Sequence, residues 1–478
     1  MFDTLVVGAG TTGCVVAARL AERPGHRVLL LEAGPARLDP DLRRVSSLAV
    51  AGDPGHPWNW AYRADLGYGA SHTVPRGRGL GGSSAINGAV FVRATPADAD
   101  GWGPGWSWEE LLPYYVRCET DLDHTGPLHG DRGPIPVQRP AGPLLHPAAE
   151  RFLGAAERLG FPAEPDKNAG TAPGVGLVPC NAVDGRRVDA ATAYGIGRDR
   201  PGLTVWTGAQ VARVLLDGDR AVGVELLDGT RVEAGEVVLA AGAVGSPHLL
   251  MLSGVGPADV LRNADVPVRH DLPGVGQGFS DHPCVYLPFV SPGDPPAHPD
   301  APTVQVALDL DLGGDPAGEV ELLLFVRPFT PDTTGHVACG LQRPDSRGVI
   351  TLTSPDPRRP PRLEYRYLRT EHDRRRLRHA VRTAAELLRA GVGGRVTPSG
   401  DVLGSDEALD AWVVANLTTA IHMCGSCAIG EVVDEELRVR GIAGLRVADT
   451  SVLPVAPRRG TAATAVAIGE KAADLLRR

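Results

Sequence analysis

Six residues, Gly8-Ala9-Gly10-Thr11-Thr12-Gly13, constrain this chain more than any others, because of what flanks them. Thr4–Val7 is a short β-branched and apolar run that predicts a buried strand. Cys14–Leu20 carries apolar residues at helical spacing, Pro24-Gly25 breaks the chain, and Arg27–Leu31 is a second short apolar run. Strand, glycine turn, helix and strand in that order make a βαβ unit. In the G-x-G-x-x-G pattern, Gly8 allows a tight turn and Gly10 lets backbone approach a pyrophosphate. Gly13 lets the helix pack close to the strand. The helix N-terminus then faces the phosphates with partial positive charge. Glu32 ends the second strand, where an acid holds ribose hydroxyls. This much predicts a bound dinucleotide, and NAD and FAD fit it equally well.

The rest of the chain sets bounds. At 478 residues and 43% hydrophobic, it is long enough for two or more structural domains. A net charge of −9 leaves no global field to attract nucleic acid. The arginine clusters at 374–376 and 458–459 are short and read as solvated faces or loops. No secretory signal is expected at the N-terminus, and no apolar run approaches a membrane span. The seven cysteines are odd in number and irregularly spaced, which predicts reduced thiols in a cytoplasmic protein.

Periodicity organises the remainder. Residues 52–110 read as long ordered loops and 145–160 as an amphipathic helix. Strand patterns run through Leu203–Trp206, Val211–Leu216, Val222–Leu227, Arg231–Ala234 and Glu236–Ala240, with Asp228-Gly229-Thr230 as a hairpin turn. Alternation at Thr303–Leu310 and Glu319–Phe325 marks a β-rich insertion, continued by 348–354 and 362–367. A charged helix is predicted over 370–391. Dinucleotide-type α/β units at the start, near 203–255, and at the end imply a discontinuous cofactor domain.

A second glycine segment decides the cofactor. Arg76-Gly77-Arg78-Gly79-Leu80-Gly81-Gly82-Ser83-Ser84-Ala85-Ile86-Asn87-Gly88 removes side chains where something flat or charged comes close, and supplies hydroxyl and amide partners. It resembles the first signature of the glucose–methanol–choline (GMC) oxidoreductase family. Leu239–Pro247 is similar to that family's second signature. Gly274–Gln277, Asp281-His282-Pro283, Arg347–Val349 with Pro355–Pro357, and Arg446–Pro454 follow in the family's order. The resemblance implies an α/β fold: an FAD-binding Rossmann-like domain of GMC type with a second β-rich, α+β substrate domain. It implies a cofactor domain of residues 1–284 plus 405–478 and a substrate domain of residues 285–404, with contributions from 140–175. It places Gly8, Gly10, Thr12, Gly13, Glu32, Ala33, Gly79, Gly82, Ser83, Asn87, Gly88, Val211, Ala241, Gly242, Asp449 and Thr461 on FAD, Val211 through its backbone beside the adenine. Some members attach FAD to a histidine just before the Asn87 position. Ile86 stands there in this chain, so non-covalent FAD is expected.

Ile421-His422-Met423-Cys424-Gly425-Ser426-Cys427 resembles the family's active-site histidine segment and makes His422 the catalytic base over the flavin. Imidazole suits removal of a hydroxyl proton while a hydride leaves the carbon. Cys424 and Cys427 form an incidental C-x-x-C with no second pair to complete a zinc site, so no metal is expected. The family usually has a second His or Asn just before its last helix, and Gly460 stands at that place. Three readings of that change stay open: Thr461, a water or an arginine works with His422; Arg458 or Arg459 reaches a substrate anion; or alcohol oxidation is impaired. The resemblance implies oxidation of a small-molecule alcohol or a reduced redox carrier. The carrier reading follows a likeness to the short mycofactocin-associated branch. Electrons then pass to O2, a quinone or a respiratory carrier. Two other classes stand beside this one: a lyase or photoenzyme on the same fold, and a non-catalytic flavin-binding protein.

Overall fold

The computed structural model describes residues 2–36 and 40–478. The strand Phe2–Val7 lies at the middle of a seven-stranded sheet, parallel to Val28–Leu31 on one side and to Arg231–Leu239 on the other. Leu203–Trp206 and Leu445–Val447 extend this parallel set at its two margins. Three distant stretches of sequence thus build one parallel sheet. Val28, Leu29, Leu30 and Leu31 are all buried, so this strand carries apolar side chains on both faces. The helices Thr11–Leu20 and Ala462–Leu475 pack on each other beside the sheet. Their approach is close: a Cβ on Gly469 would lie 2.7 Å from Val15 Cβ.

Arg231–Leu239 is one continuous strand, where the sequence suggests two runs. Its first half pairs antiparallel with Arg220–Leu226 and its second half parallel with Leu445–Val447. Gly235 falls where the partner changes. A side chain there would meet the Asp3 carbonyl at 3.1 Å, so the glycine answers a close approach and does not end the strand.

A second seven-stranded sheet runs in the order Arg395–Val396, Pro283–Val290, Gly335–Leu341, Val320–Phe325, Val304–Leu310 and Val175–Leu177, with Thr418–Thr419 also on Pro283–Val290. All its pairings are antiparallel. The sequence reading marks the strands at 304–310 and 320–325 but not the one at 335–341. Every residue of Gly335–Leu341 is buried, because the helix Glu371–Leu387 packs on this strand, and burial on both faces erases the alternation. That helix falls inside the predicted 370–391, and Pro147–Arg158 answers the helix predicted at 145–160.

The region 52–110 departs from expectation. Tyr62–Gly67 and Ala70–Val74 form a hairpin in a five-stranded sheet with Gln277–Phe279, Gly348–Thr351 and Arg362–Glu364. The hairpin joins that sheet through Arg362–Glu364, about 300 residues away, and its short alternation is masked by the glycines, prolines and tryptophans around it. Seven cysteines are buried and unpaired, Cys424 and Cys427 among them. Among the described residues no helix is long and apolar enough to cross a membrane.

Candidate functional site

One cavity of about 1100 Å³ runs from the first glycine turn to the inner face of the antiparallel sheet. Of the residues expected at the cofactor, Gly8, Gly10, Thr12, Glu32, Ala33, Gly82, Ser83, Asn87, Gly88, Val211, Ala241, Gly242, Asp449 and Thr461 line it. Gly13 and Gly79 do not. A Cβ on Gly13 would lie 1.9 Å from the Gly8 carbonyl oxygen, so this glycine serves the contact of helix and strand. A Cβ on Gly79 would strike the Trp58 ring at 2.4 Å. Both stand behind the wall and let it form.

The two glycine segments dock on each other. The Gly81 N–H donates to the Ala9 carbonyl at 2.8 Å. A Cβ on Gly82 would lie 2.6 Å from Gly10 Cα. Glu32 is held by N–H donors from Ala9 at 2.9 Å and Gly34 at 2.8 Å, and burial raises its carboxyl above the usual range. Asp449 accepts from the Gly242 N–H at 2.9 Å, the Ser246 hydroxyl at 2.5 Å and the Ser451 N–H at 2.9 Å. Burial raises it too. Both acids therefore shape the backbone that faces the cavity. Gly10 and Gly242 leave open space where side chains would project: the nearest atom to a Cβ on Gly10 is 3.9 Å away, and nothing lies within 4 Å of one on Gly242. A cradle of unblocked backbone at two helix N-termini fits a diphosphate.

At the other end, the fold joins two histidines 140 positions apart. Thr418–Thr419 pairs with the start of Pro283–Val290, and the Ala420 N–H donates to the His282 carbonyl at 3.0 Å. His422 Nδ1 then lies 3.1 Å from His282 Nδ1, with the rings edge to face. Asp281 fixes both backbones: its Oδ1 accepts from the N–H groups of His282 and His422, each at 2.7 Å. Ile421 is held at φ +67°, a strained conformation for a β-branched residue. Arg76 Nη1 donates to its carbonyl at 2.8 Å and its N–H donates to Thr419 Oγ1 at 3.1 Å. Burial, aided by the Arg76 charge, lowers His422 to about 4. Burial also holds His282 well below the usual histidine range and pushes Asp281 up to about 6.

Gly460 does face His422. A Cβ on it would stand 3.8 Å from His422 Nε2. The expected substitutes do not arrive from the arginines. Arg458 and Arg459 are buried, line no part of the cavity, and pair with Asp98 and Asp315, and with Asp309 and Glu164. Thr461 lines the cavity at the head of the last helix.

His282 and Asp281 are the residues that reading the sequence left without a role, although the motif Asp281-His282-Pro283 stood out. Nothing in one strand reveals that its preceding histidine meets another 140 residues on. Glu321 and Gln342 also line the cavity unforeseen.

A nucleotide cradle and a half-buried imidazole, His422, on one cavity, with a second imidazole behind it, make the arrangement of a cofactor-dependent oxidoreductase. The chain belongs to the GMC oxidoreductase family, whose N-terminal model matches residues 2–284 and whose C-terminal model matches residues 344–469. Members of this family bind FAD. The chain is 41% identical over 498 residues to an uncharacterized GMC-type oxidoreductase of Rhodococcus erythropolis, covering 99% of this chain and 98% of the relative. It is 34% identical to an oxygen-dependent choline dehydrogenase of Photobacterium profundum, covering 99% and 93%. Pyridoxine 4-oxidase from Mesorbium loti superposes with a TM-score of 0.91 at 30% identity, covering 99% of each chain.

Proposed function

We propose that this chain oxidises the CH–OH group of a small molecule, with FAD held non-covalently and His422 as the base. The observation that carries this reading is His422, a half-buried neutral imidazole paired with His282 and lining the same cavity as the glycine cradle. When bound, FAD supplies the hydride acceptor. The backbone around Gly8, Gly10 and Gly82 faces its diphosphate, Glu32 its ribose, and Gly242 and Asp449 shape the wall beside it. Ile86 offers no nucleophile for a covalent link.

The tautomers follow from the neighbours. His282 Nδ1 faces His422 Nδ1, so one of the two donates; the proton is assigned to His422, which leaves His282 neutral with its own N–H on Nε2. A neutral His282 with that N–H presents its Nδ1 lone pair to His422. His422 then donates its Nδ1–H to His282 and keeps a lone pair on Nε2, the nitrogen turned toward Gly460. The substrate hydroxyl gives its proton to that nitrogen. His282 is a positioning residue: it fixes the tautomer and accepts the hydrogen bond that strengthens as His422 becomes cationic. Gly460 leaves room beside Nε2 for the substrate carbon.

Residues 1–284 and 405–478 form the cofactor part on this reading, and 285–404 the substrate part, with contributions from 140–175 and a sheet strand from Val175–Leu177. Seven unpaired buried thiols support a reducing, cytoplasmic setting. The second half-reaction delivers electrons to O2, a quinone or a respiratory carrier.

Anaerobic flavin bleaching against alcohols, polyols and redox carriers tests the reading. His422→Ala should slow bleaching about 10²- to 10⁴-fold with FAD still bound. Equal bleaching in wild type and variant would sink the base assignment. Product formation only under blue light would replace oxidation with a photochemical step.

A further inference from the structure

The antiparallel sheet turns a largely apolar face to the cavity, formed by Tyr286, Leu323, Phe325, Ala338 and Val304. Tyr286, Phe325 and Phe329 stand edge to face at 5.1 to 5.6 Å. Gln342 and Glu321 are polar side chains within that face. Gln342 is 2% exposed and Glu321 5% exposed, and both line the cavity. Gln342 Nε2 donates to Glu321 Oε2 at 3.4 Å, while Gln342 Oε1 is buried with no hydrogen-bond partner among the described residues. A buried acceptor left unpaired is costly, and its natural complement is a donor brought by a ligand.

Sheet register locates the pair. Cys284, Gly340 and Glu321 lie in one row across three adjacent strands. Cys284 follows His282 by two residues, so Glu321 sits two strand spacings, about 10 Å, along the sheet from the histidine end. Gly340 lies between and leaves the floor open; a Cβ there would press on Gln342 Nε2 at 2.9 Å. The charged groups beyond are already matched: Lys167 and Arg459 each pair with both Glu164 and Asp309. Among the described residues no cation ion-pairs with Glu321.

We propose that Gln342 and Glu321 form a subsite for a neutral hydrogen-bond donor, a hydroxyl or an amide N–H, carried by the substrate at a distance from its reacting carbon. The inference rests on the alcohol-oxidising reading and names its substrate class: an apolar alcohol with a second, uncharged donor. Burial beside Asp309 pushes Glu321 up to about 8, so near neutrality it is a protonated carboxyl that both donates and accepts. A quaternary ammonium has no N–H for Gln342 Oε1 and finds no full negative charge here.

Matched rigid probes test this: 4-hydroxybenzyl alcohol, 4-(hydroxymethyl)benzamide, 4-methylbenzyl alcohol and choline, each in anaerobic flavin reduction. Wild type should favour the hydroxyl or amide probe over the methyl probe by about 10- to 100-fold in kcat/KM. Gln342→Leu should bring that ratio to about 1, carried mainly by KM. Glu321→Gln, nearly the same shape and still polar, should keep a preference of at least about tenfold and guards against misfolding as the explanation. Choline ahead of every neutral probe, or an unchanged ratio in Gln342→Leu, overturns the subsite. If no alcohol bleaches the flavin, the oxidising reading fails separately. Calorimetric dissociation constants for 4-hydroxybenzaldehyde and 4-methylbenzaldehyde then test the subsite alone. The same ratio, lost in Gln342→Leu, upholds it; equal constants in wild type refute it.

Discussion

Replacing Gly10 by alanine separates cofactor binding from folding. Gly10 caps the helix Thr11–Leu20 with an extended backbone at φ −77°, which alanine adopts freely. Its Cβ would have one neighbour within 4 Å, the Ala240 carbonyl oxygen at 3.9 Å. Alanine is a poorer cap than glycine by about 0.5 kcal/mol. Against that, it lowers the entropy of the unfolded chain, a gain of about 0.4–1 kcal/mol. The apoprotein should therefore keep its stability within about 0.5 kcal/mol. On the proposed reading, the same methyl group would stand in the space left for the diphosphate. Each charge-assisted hydrogen bond it displaces is worth about 1.5–3 kcal/mol. One lost bond weakens FAD by roughly 10- to 150-fold. Gly13→Ala is the opposite case. Its Cβ would lie 1.9 Å from the Gly8 oxygen, so helix and strand must part, at about 1–3 kcal/mol in the apoprotein itself. Denaturant unfolding of both apoproteins and flavin titration by fluorescence quenching measure the two effects. FAD affinity within threefold of wild type in Gly10→Ala would refute the cradle, as would apoprotein instability equal to that of Gly13→Ala.

Two predictions concern titration. Since His422 lies near 4, the neutral form that the proposed base requires dominates above that value. The kcat/KM for flavin reduction should be level between about pH 5 and about pH 8 and fall tenfold per unit below about pH 4; a limb near the ordinary histidine value would contradict His422 as the base. Glu321 sits above its unfolded value of 4.5, at about 8. Its contribution to stability is full below the lower value and is lost as pH rises through the upper one. Glu321→Gln should accordingly gain on wild type by about 1–3 kcal/mol between about pH 5 and about pH 8 in denaturant unfolding, and a constant difference would argue that the carboxyl is solvated.

Strong local signals in the sequence determined the first unit. Phe2–Val7, the glycine turn, the helix Thr11–Leu20 and Val28–Leu31 all follow from residues within about one helix and strand of each other. Motif order then carried the family and most of the cavity wall, because glycines that admit a ligand leave a mark in sequence. Gly13 and Gly79 leave the same mark for another reason, close packing, and only the tertiary structure sets them behind the wall. The hairpin 62–74 and the strand 335–341 were illegible: their partners are remote, and burial on both faces removes alternation. The catalytic end divides the same way. His422 was readable as a residue, but its environment was not. Cross-strand pairing at Pro283 and Thr419 sets His282 on its ring, Asp281 under both backbones and Gly460 opposite Nε2. A histidine's basicity depends on burial and on neighbours in space, and sequence distance carries neither. For the same reason Arg458 and Arg459, which one reading of the sequence set at a substrate anion, turn inward to acids 143 to 360 positions away.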